Sequence, residues 1–225
     1  IAAPDVLLTP AGESFAEIEV AETGERRWAG LARWAEGELL ADMVSRETDV
    51  AASADYFARM GATMASMHNQ AIGWTPPAGF QRHKLDADGL MGPEPFWGPF
   101  WDHAIFSPAE RAMLLAVRDR LHAELSRYGK PARTFSLIHA DLHSHNVLID
   151  GADTTVIDFD DAGFGWHQYD LAVALVTYQD HPDFAVFRDA CIAGYKSVRT
   201  ISDADLELLP MFMLIRDLAQ IGWYH

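Results

Sequence analysis

The sequence predicts an α+β protein: a small antiparallel strand unit in front of a larger, mainly helical part that has one short hairpin set among its helices. Three observations carry this. Residues 15–34 read as a strand, a glycine-containing turn and a return strand. From about Ser53 onward the apolar residues recur at helical rather than alternating spacing. Residues 146–149 and 154–158 are short extended runs on either side of Asp150-Gly151, a hairpin-turn dipeptide. At 225 residues the chain can bury a substantial core, as one large domain or two small ones. Residues 1–37 read as the first unit and residues 38–225 as the second.

In the first unit Phe15, Ile18 and Val20 share one extended run, Glu22-Thr23-Gly24-Glu25 supplies the turn, and Trp28 to Trp34 forms the return strand. Ala35-Glu36-Gly37-Glu38 then ends the strand. Phe57, Met60, Met64, Met67 and His68 follow helical spacing and predict an amphipathic helix with a buried stripe. Methionines at that spacing are read as core rather than as a cofactor pocket. Residues 73–106 are rich in Gly, Pro and aromatics, among them Trp74, Phe80, Trp97 and Trp101. Such a long irregular segment either covers a core or serves a site, and covering is the first expectation. The next helix has a clear start: Ser107 caps it, Pro108 takes the first turn and Glu110 completes a capping box. Leu114, Val117, Leu121 and Leu125 form its inner face, and Gly129 ends it. Beyond Asp170 the pattern is helical, with breaks near His181-Pro182 and Thr200-Ser202. Cys191 shares a stripe with Phe184, Phe187 and Tyr195, which makes it a core thiol.

Composition narrows the function classes. The balance of 17 basic against 33 acidic residues gives a formal charge of −16. Such a surface repels nucleic-acid phosphates and anionic lipid, and mildly favours cationic small molecules. A solvated acidic surface with no partner is the plainer reading. No apolar run approaches the roughly 20 residues needed to cross a bilayer. The first twenty residues carry Asp5, Glu13, Glu17 and Glu19 and no basic start, unlike a secretory signal. One cysteine cannot form an internal disulfide, so a reducing, cytoplasmic setting is expected. The chain opens with Ile1 in a stretch already reading as ordered, and stops at His225 inside a helical pattern, so both ends look cut.

The chemistry is concentrated in Ile138-His139-Ala140-Asp141-Leu142-His143-Ser144-His145-Asn146 and in Val156-Ile157-Asp158-Phe159-Asp160. Phosphoryl transfer needs a carboxylate to orient the acceptor hydroxyl and take its proton. It also needs hard oxygen ligands that hold magnesium against the phosphates. An Asp, an amide five residues on, and a second Asp after a tight hairpin can bring all three to one point. Asp141, Asn146 and Asp158 have that spacing.

The loop resembles the His-x-Asp-x-x-x-x-Asn catalytic motif of kinases, and Ile-Asp-Phe-Asp resembles their metal-binding motif. With no Arg after the His, and with Asp160 where protein kinases have Gly, the chain resembles the aminoglycoside phosphotransferase family, which includes choline kinases and homoserine-kinase-like enzymes. Tyr169-Asp170-Leu171-Ala172 matches the family's downstream Asp-Leu-Ala helix start, and the helix ending Met64-Ala65-Ser66-Met67-His68 resembles its helix that closes on a His. The resemblance, over residues 15–225, implies a protein-kinase-like bilobal fold: part of a small antiparallel N-lobe sheet, then a large helical C-lobe with the catalytic β-hairpin. It implies ATP and Mg2+, with the γ-phosphate passing to a hydroxyl, of a small molecule first, for which a cationic amino alcohol is one option and a protein Ser or Thr side chain another. Asp141 would be the base, Asn146 and Asp158 the magnesium ligands, and Asp160 a further carboxylate on or beside the metal. His139 and Asp170 would brace the loop. His143 lies where protein kinases often have a Lys that touches the transferring phosphate, and an imidazole there can donate a hydrogen bond to it. For His143, His145 and His167 the plainer reading is polar loop residues in a histidine-rich stretch. Arg33, Trp34 and Ala35, in the strand end before Gly37, resemble the hinge that meets the adenine. The Gly-rich loop and strand lysine of such kinases are absent; the lysines are Lys84, Lys130 and Lys196, and truncation is the expected reason.

Two other readings stand beside this one. Asp141-Leu142-His143-Ser144-His145 resembles the opening motif of the histidinol-phosphatase metal hydrolases, a metal-dependent phosphoesterase that would need further His and Asp or Glu ligands. A non-catalytic kinase-like binding module is the third. Gly163-Phe164-Gly165 lacks the third glycine of a dinucleotide loop and is set aside.

Overall fold

The structure, a computed structural model, describes residues 2–224. Ile1 and His225, on which the expectation of cut ends rests, lie outside the described residues.

The front of the chain is built from four short strands: β1 (Val6–Leu7), β2 (Ala16–Glu19), β3 (Arg26–Ala29) and β4 (Leu31–Ala32). The expected hairpin is present as antiparallel β2–β3, with Glu19 opposite Arg26. Its turn closes through the Val20 N–H to the Glu25 carbonyl at 2.8 Å, with Gly24 at φ 67°. The return strand differs from expectation in being broken. At Gly30 the chain leaves β2, and Leu31–Ala32 pairs with β1 instead. A Cβ on Gly30 would lie 2.9 Å from the Phe15 ring, so a glycine is what lets the strand change partner there. This unit leaves its apolar side chains in water: Trp28 is 73% exposed and Trp34 83%.

The link to the rest is β5 (Glu38–Leu39), which pairs with β8 (Val147–Asp150), itself paired with β9 (Asp153–Val156) around Gly151. Gly37, at φ 125°, passes so close to the Ile149 backbone that a Cβ would lie 2.9 Å from its carbonyl oxygen. The remainder is mainly helical: α1 (Leu40–Arg46), α2 (Val50–Gly73), α3 (Ala87–Met91), α4 (Pro108–Tyr128), α5 (His167–Val176), α6 (Phe184–Val198), α7 (Asp203–Leu206) and α8 (Leu209–Trp223). Phe57, Met60, Met64 and His68 of α2 are buried, as their spacing predicts, and α4 carries the full capping box at Ser107 and Glu110. The segment 73–106 is more ordered than expected. It contains α3, a 3-10 turn at Phe100–Asp102 and β6 (Lys84–Leu85). Its buried Leu85, Leu90, Met91 and Phe100 belong to the core.

A further sheet was not legible in the sequence: β6 runs parallel to β10 (Gly163–Trp166), which is antiparallel to β7 (Phe135–Ile138). The glycines of β10 permit close packing, since a Cβ on Gly165 would lie 2.6 Å from Ile138 Cδ1. β7 delivers the chain directly into His139-Ala140-Asp141. Beneath it, every residue of α5 is buried. Helices α2 and α6 meet through Gly61 and Gly194, where any Cβ would run into the carbonyls of Cys191 and Ala58. Cys191 is buried there, and burial pushes its thiol up to about 12.

Candidate active site

The loop after β7 is held by its backbone. Asp170, buried on the first turn of α5, accepts the His139 N–H at 3.1 Å and the Ala140 N–H at 2.7 Å. His68, at the far end of α2, donates Nε2–H to the same carboxylate at 3.0 Å, and the Tyr195 hydroxyl faces its Nδ1 at 2.9 Å. Two residues here have left-handed backbones without being glycine: Ala140 at φ 69° and Asp158 at φ 62°. Each such conformation costs roughly 1–3 kcal/mol and persists only where the surroundings over-determine it. At Ala140 the two hydrogen bonds to Asp170 do this.

His139 ties the loop to the hairpin. Its Nδ1 accepts the Asp141 N–H at 3.3 Å, so the proton lies on Nε2, which donates to the Ile157 carbonyl at 3.1 Å. Asp141 and Asn146 are in contact. The Asn146 amide donates from Nδ2 to the Asp141 carbonyl at 2.9 Å and to its carboxylate at 3.2 Å. Two acceptors on the nitrogen fix the amide's orientation and leave Oδ1 as its open acceptor. The Asn146 carbonyl in turn takes the Ile157 N–H at 3.1 Å, one residue before Asp158.

A cleft of ≈ 470 Å³ opens on this group, lined by Asp141, His143, Asp158, Asp161, Trp97 and Arg216 among others. His143 accepts the His145 N–H on Nδ1, so its proton is on Nε2, 3.3 Å from the Asp141 carboxylate. Asp160 is exposed, and its carbonyl accepts from Arg82 at 2.5 Å; the acid of that pair that lines the cleft is Asp161. Arg33 and Trp34, both exposed, and the half-buried Ala35 lie in the connection between β4 and β5, with the Arg33 N–H bonded to the Asp5 carbonyl at 2.8 Å.

Sequence reasoning missed Asp161 and Arg216. Asp161 carries one faint signal, its place directly after the Asp158-Phe159-Asp160 motif. Arg216 lies on α8, and its guanidinium meets Asp141 Oδ1 at 2.5 Å. The one trace it leaves in sequence is a lone cation, followed by Asp217, in a largely apolar helical run. Burial alone raises the Asp141 carboxyl, but the His143 hydrogen bond and the Arg216 charge outweigh it and hold the group below its ordinary range. Asp161 moves the other way: burial raises it, and the negative charges of Asp141 and Asp158 add to the rise.

Among the described residues no three His, Cys, Asp or Glu side chains converge as a ready-made metal cage. One amide oxygen and one carboxylate, with phosphates completing the shell, is instead the open kind of set that magnesium uses. The Asn146 oxygen and Asp158 suit that chemistry.

The fold is protein-kinase-like, as its solved neighbours show. The aminopropanol kinase associated with a microcompartment superposes with a TM-score of 0.83 at 31% identity, covering 99% of this chain and 67% of that one. An amicoumacin kinase in complex with AMP-PNP, Ca2+ and Ami superposes with a TM-score of 0.78 at 20% identity, covering 99% and 64%, a likeness of fold alone. The chain belongs to the phosphotransferase enzyme family, whose model matches residues 3–206. It is 30% identical to the amicoumacin kinase of Bacillus subtilis (strain 168) over 129 residues, 53% of this chain and 38% of that protein. To a homoserine kinase of Acidiphilium cryptum (strain JF-5) it is 31% identical over 156 residues, 68% of this chain and 46% of that protein. The matched chain therefore spans less than half the length of either relative. No helix among the described residues is long and apolar enough to cross a membrane.

Proposed function

We propose that this chain is the catalytic part of an ATP- and Mg2+-dependent kinase that phosphorylates the hydroxyl of a small amino alcohol in the cytoplasm. The observation that carries the reading is the meeting of Asp141 with Asn146, with Asp158 in the same cleft. In this reading residues 1–37 belong to the nucleotide lobe and hinge, with Arg33, Trp34 and Ala35 near the adenine, and residues 38–225 form the catalytic lobe. Asp141 orients the acceptor hydroxyl and takes its proton as the hydroxyl oxygen bonds to the γ-phosphorus. The bond from that phosphorus to the β,γ-bridging oxygen breaks, and ADP leaves. Asn146 through Oδ1 and Asp158 hold the magnesium, which when bound neutralises the charge on the phosphates. Asp161, inside the cleft, adds negative charge near that ion, and Asp160, exposed and not among the lining residues, would act only from outside it. His143 steadies the Asp141 carboxylate through Nε2–H, and His139 and Asp170 brace the loop.

The lining supports an amino-alcohol acceptor. Asp161 stands with Trp223 and Tyr224 around the cleft, a carboxylate and aromatic faces that suit an ammonium group. The relatives named for homoserine and aminopropanol act, by those names, on amino alcohols. The test is an ATP-consumption screen of the intact protein with Mg2+, setting amino alcohols against uncharged polyols. Turnover with amino alcohols, falling by about 10³-fold or more in Asp141→Asn, is expected. No turnover with any hydroxylated compound, or a near-wild-type rate for Asp141→Asn, sinks the reading.

A further inference from the structure

Arg216 is only 7% exposed and lies on a helix whose neighbouring Phe212, Ile215 and Leu218 are core. A buried cation is costly unless paired and hydrogen-bonded. Its pairing is with the Asp141 carboxylate. Around it are two groups from other parts of the chain. The Trp97 ring, from the segment before the Phe100 turn, lies 5.3 Å from the guanidinium carbon, in cation–π contact. Tyr169, next to the Asp170 that clamps the loop, is wholly buried. Burial raises its phenol, and Arg216 and Trp97, both facing its oxygen, oppose that rise. Arg216 Nε, Trp97 Nε1 and the Tyr169 hydroxyl make up three of the four buried side-chain polar atoms that lack a hydrogen bond among the described residues. Two of these residues, Trp97 and Arg216, line the cleft itself.

We propose that Arg216 is a positioning residue for the transfer step, fixing Oδ1 of Asp141 while Trp97 and Tyr169 fix Arg216. This rests on the kinase reading above. A carboxylate has about four lone-pair sites. Asn146 and His143 approach Asp141 through Oδ2, and both belong to the same loop as the aspartate. Those contacts alone leave the carboxylate plane to follow any movement of the loop. Arg216 comes from a different, rigid element and holds the other oxygen, so the plane is fixed from two independent directions. One outer site on Oδ1 then stays open for the acceptor's hydroxyl. Lysine, a single point donor, can supply the charge to Asp141 but not the planar guanidinium that stacks on Trp97.

The experiment measures kcat and acceptor KM of the intact protein for Arg216→Met, Arg216→Lys and Tyr169→Phe, with Asp141→Asn alongside. The expected result is a fall in kcat of about 10²-fold for Arg216→Met with acceptor KM within threefold of wild type, since the loss is of orientation rather than of binding. Arg216→Lys should recover about tenfold of that, and Tyr169→Phe should cost about threefold in kcat by the same reasoning. If Arg216→Met fails to fold, the lysine variant decides, its kcat loss at unchanged KM being the supporting result. Wild-type kcat in a folded Arg216 variant, or a rise in acceptor KM with kcat intact, overturns the proposal. Because Asp141→Asn is measured in parallel, a surviving Arg216 variant beside a dead Asp141→Asn refutes the positioning role alone. An active Asp141→Asn refutes the kinase reading instead.

Discussion

Asp205, far from the cleft, is a buried carboxylate that gathers hydrogen bonds from Tyr128 at 2.8 Å, Arg133 at 2.8 Å and Ser202 at 2.6 Å. Burial pushes its carboxyl up, but the hydrogen bonds from Arg133, Ser202 and Tyr128 prevail and hold it at about 2. A group whose folded value is depressed stabilises the fold above its unfolded value, and that stabilisation fades as pH falls through the folded value. Asp205→Asn should therefore flatten the dependence of urea midpoint on pH between about pH 5 and about pH 2, while lowering the midpoint at neutral pH. An unchanged acid slope would assign that slope to other carboxylates. Residues like this one were invisible in sequence because their partners are remote: Arg133 lies 72 residues from Asp205. Arg216 escaped for the same reason, 75 residues from Asp141. The contact of Asn146 with Asp141 and the place of Asp158 in the same cleft arise within one loop and one tight hairpin, a geometry that local spacing can encode.

Helices α2 and α6 make the most extensive contact between elements, and two glycines decide it. In an exposed helix Gly→Ala is favourable by about 1 kcal/mol. Here the sign reverses, because the added methyl at Gly61 or Gly194 meets a backbone carbonyl that cannot rotate away. Gly61→Ala should destabilise by about 1–3 kcal/mol, the usual cost of overpacking, read from thermal or urea unfolding. An equally stable variant would show that the two helices can slide apart freely. The long helices were legible from periodicity and caps, above all Ser107-Pro108-Ala109-Glu110. The strands β6, β7 and β10 were not. They are two to four residues long, β10 alternates glycine with aromatics, and each exists only through pairing with a remote segment.

Across the whole molecule, order is uneven. The two-stranded sheets of residues 6–32 are exposed along every strand, whereas α5 is buried along its whole length. Isolated two-stranded ribbons are marginal in water. Amides of β2 and β3 in this chain should therefore exchange hydrogen on the order of 10³-fold faster than those of α5, measured by mass spectrometry or NMR. Comparable protection in both would mean that the front unit shares the cooperativity of the core. The clamp beneath the cleft has a different consequence. Asp170 grips peptide N–H groups, which every residue except proline possesses. Its hold on the loop is thus indifferent to which side chains stand at positions 143 and 145. Such a loop can be rewritten in evolution without being unfastened, so one chassis can be retuned toward new acceptors while the anchored aspartate stays where it is.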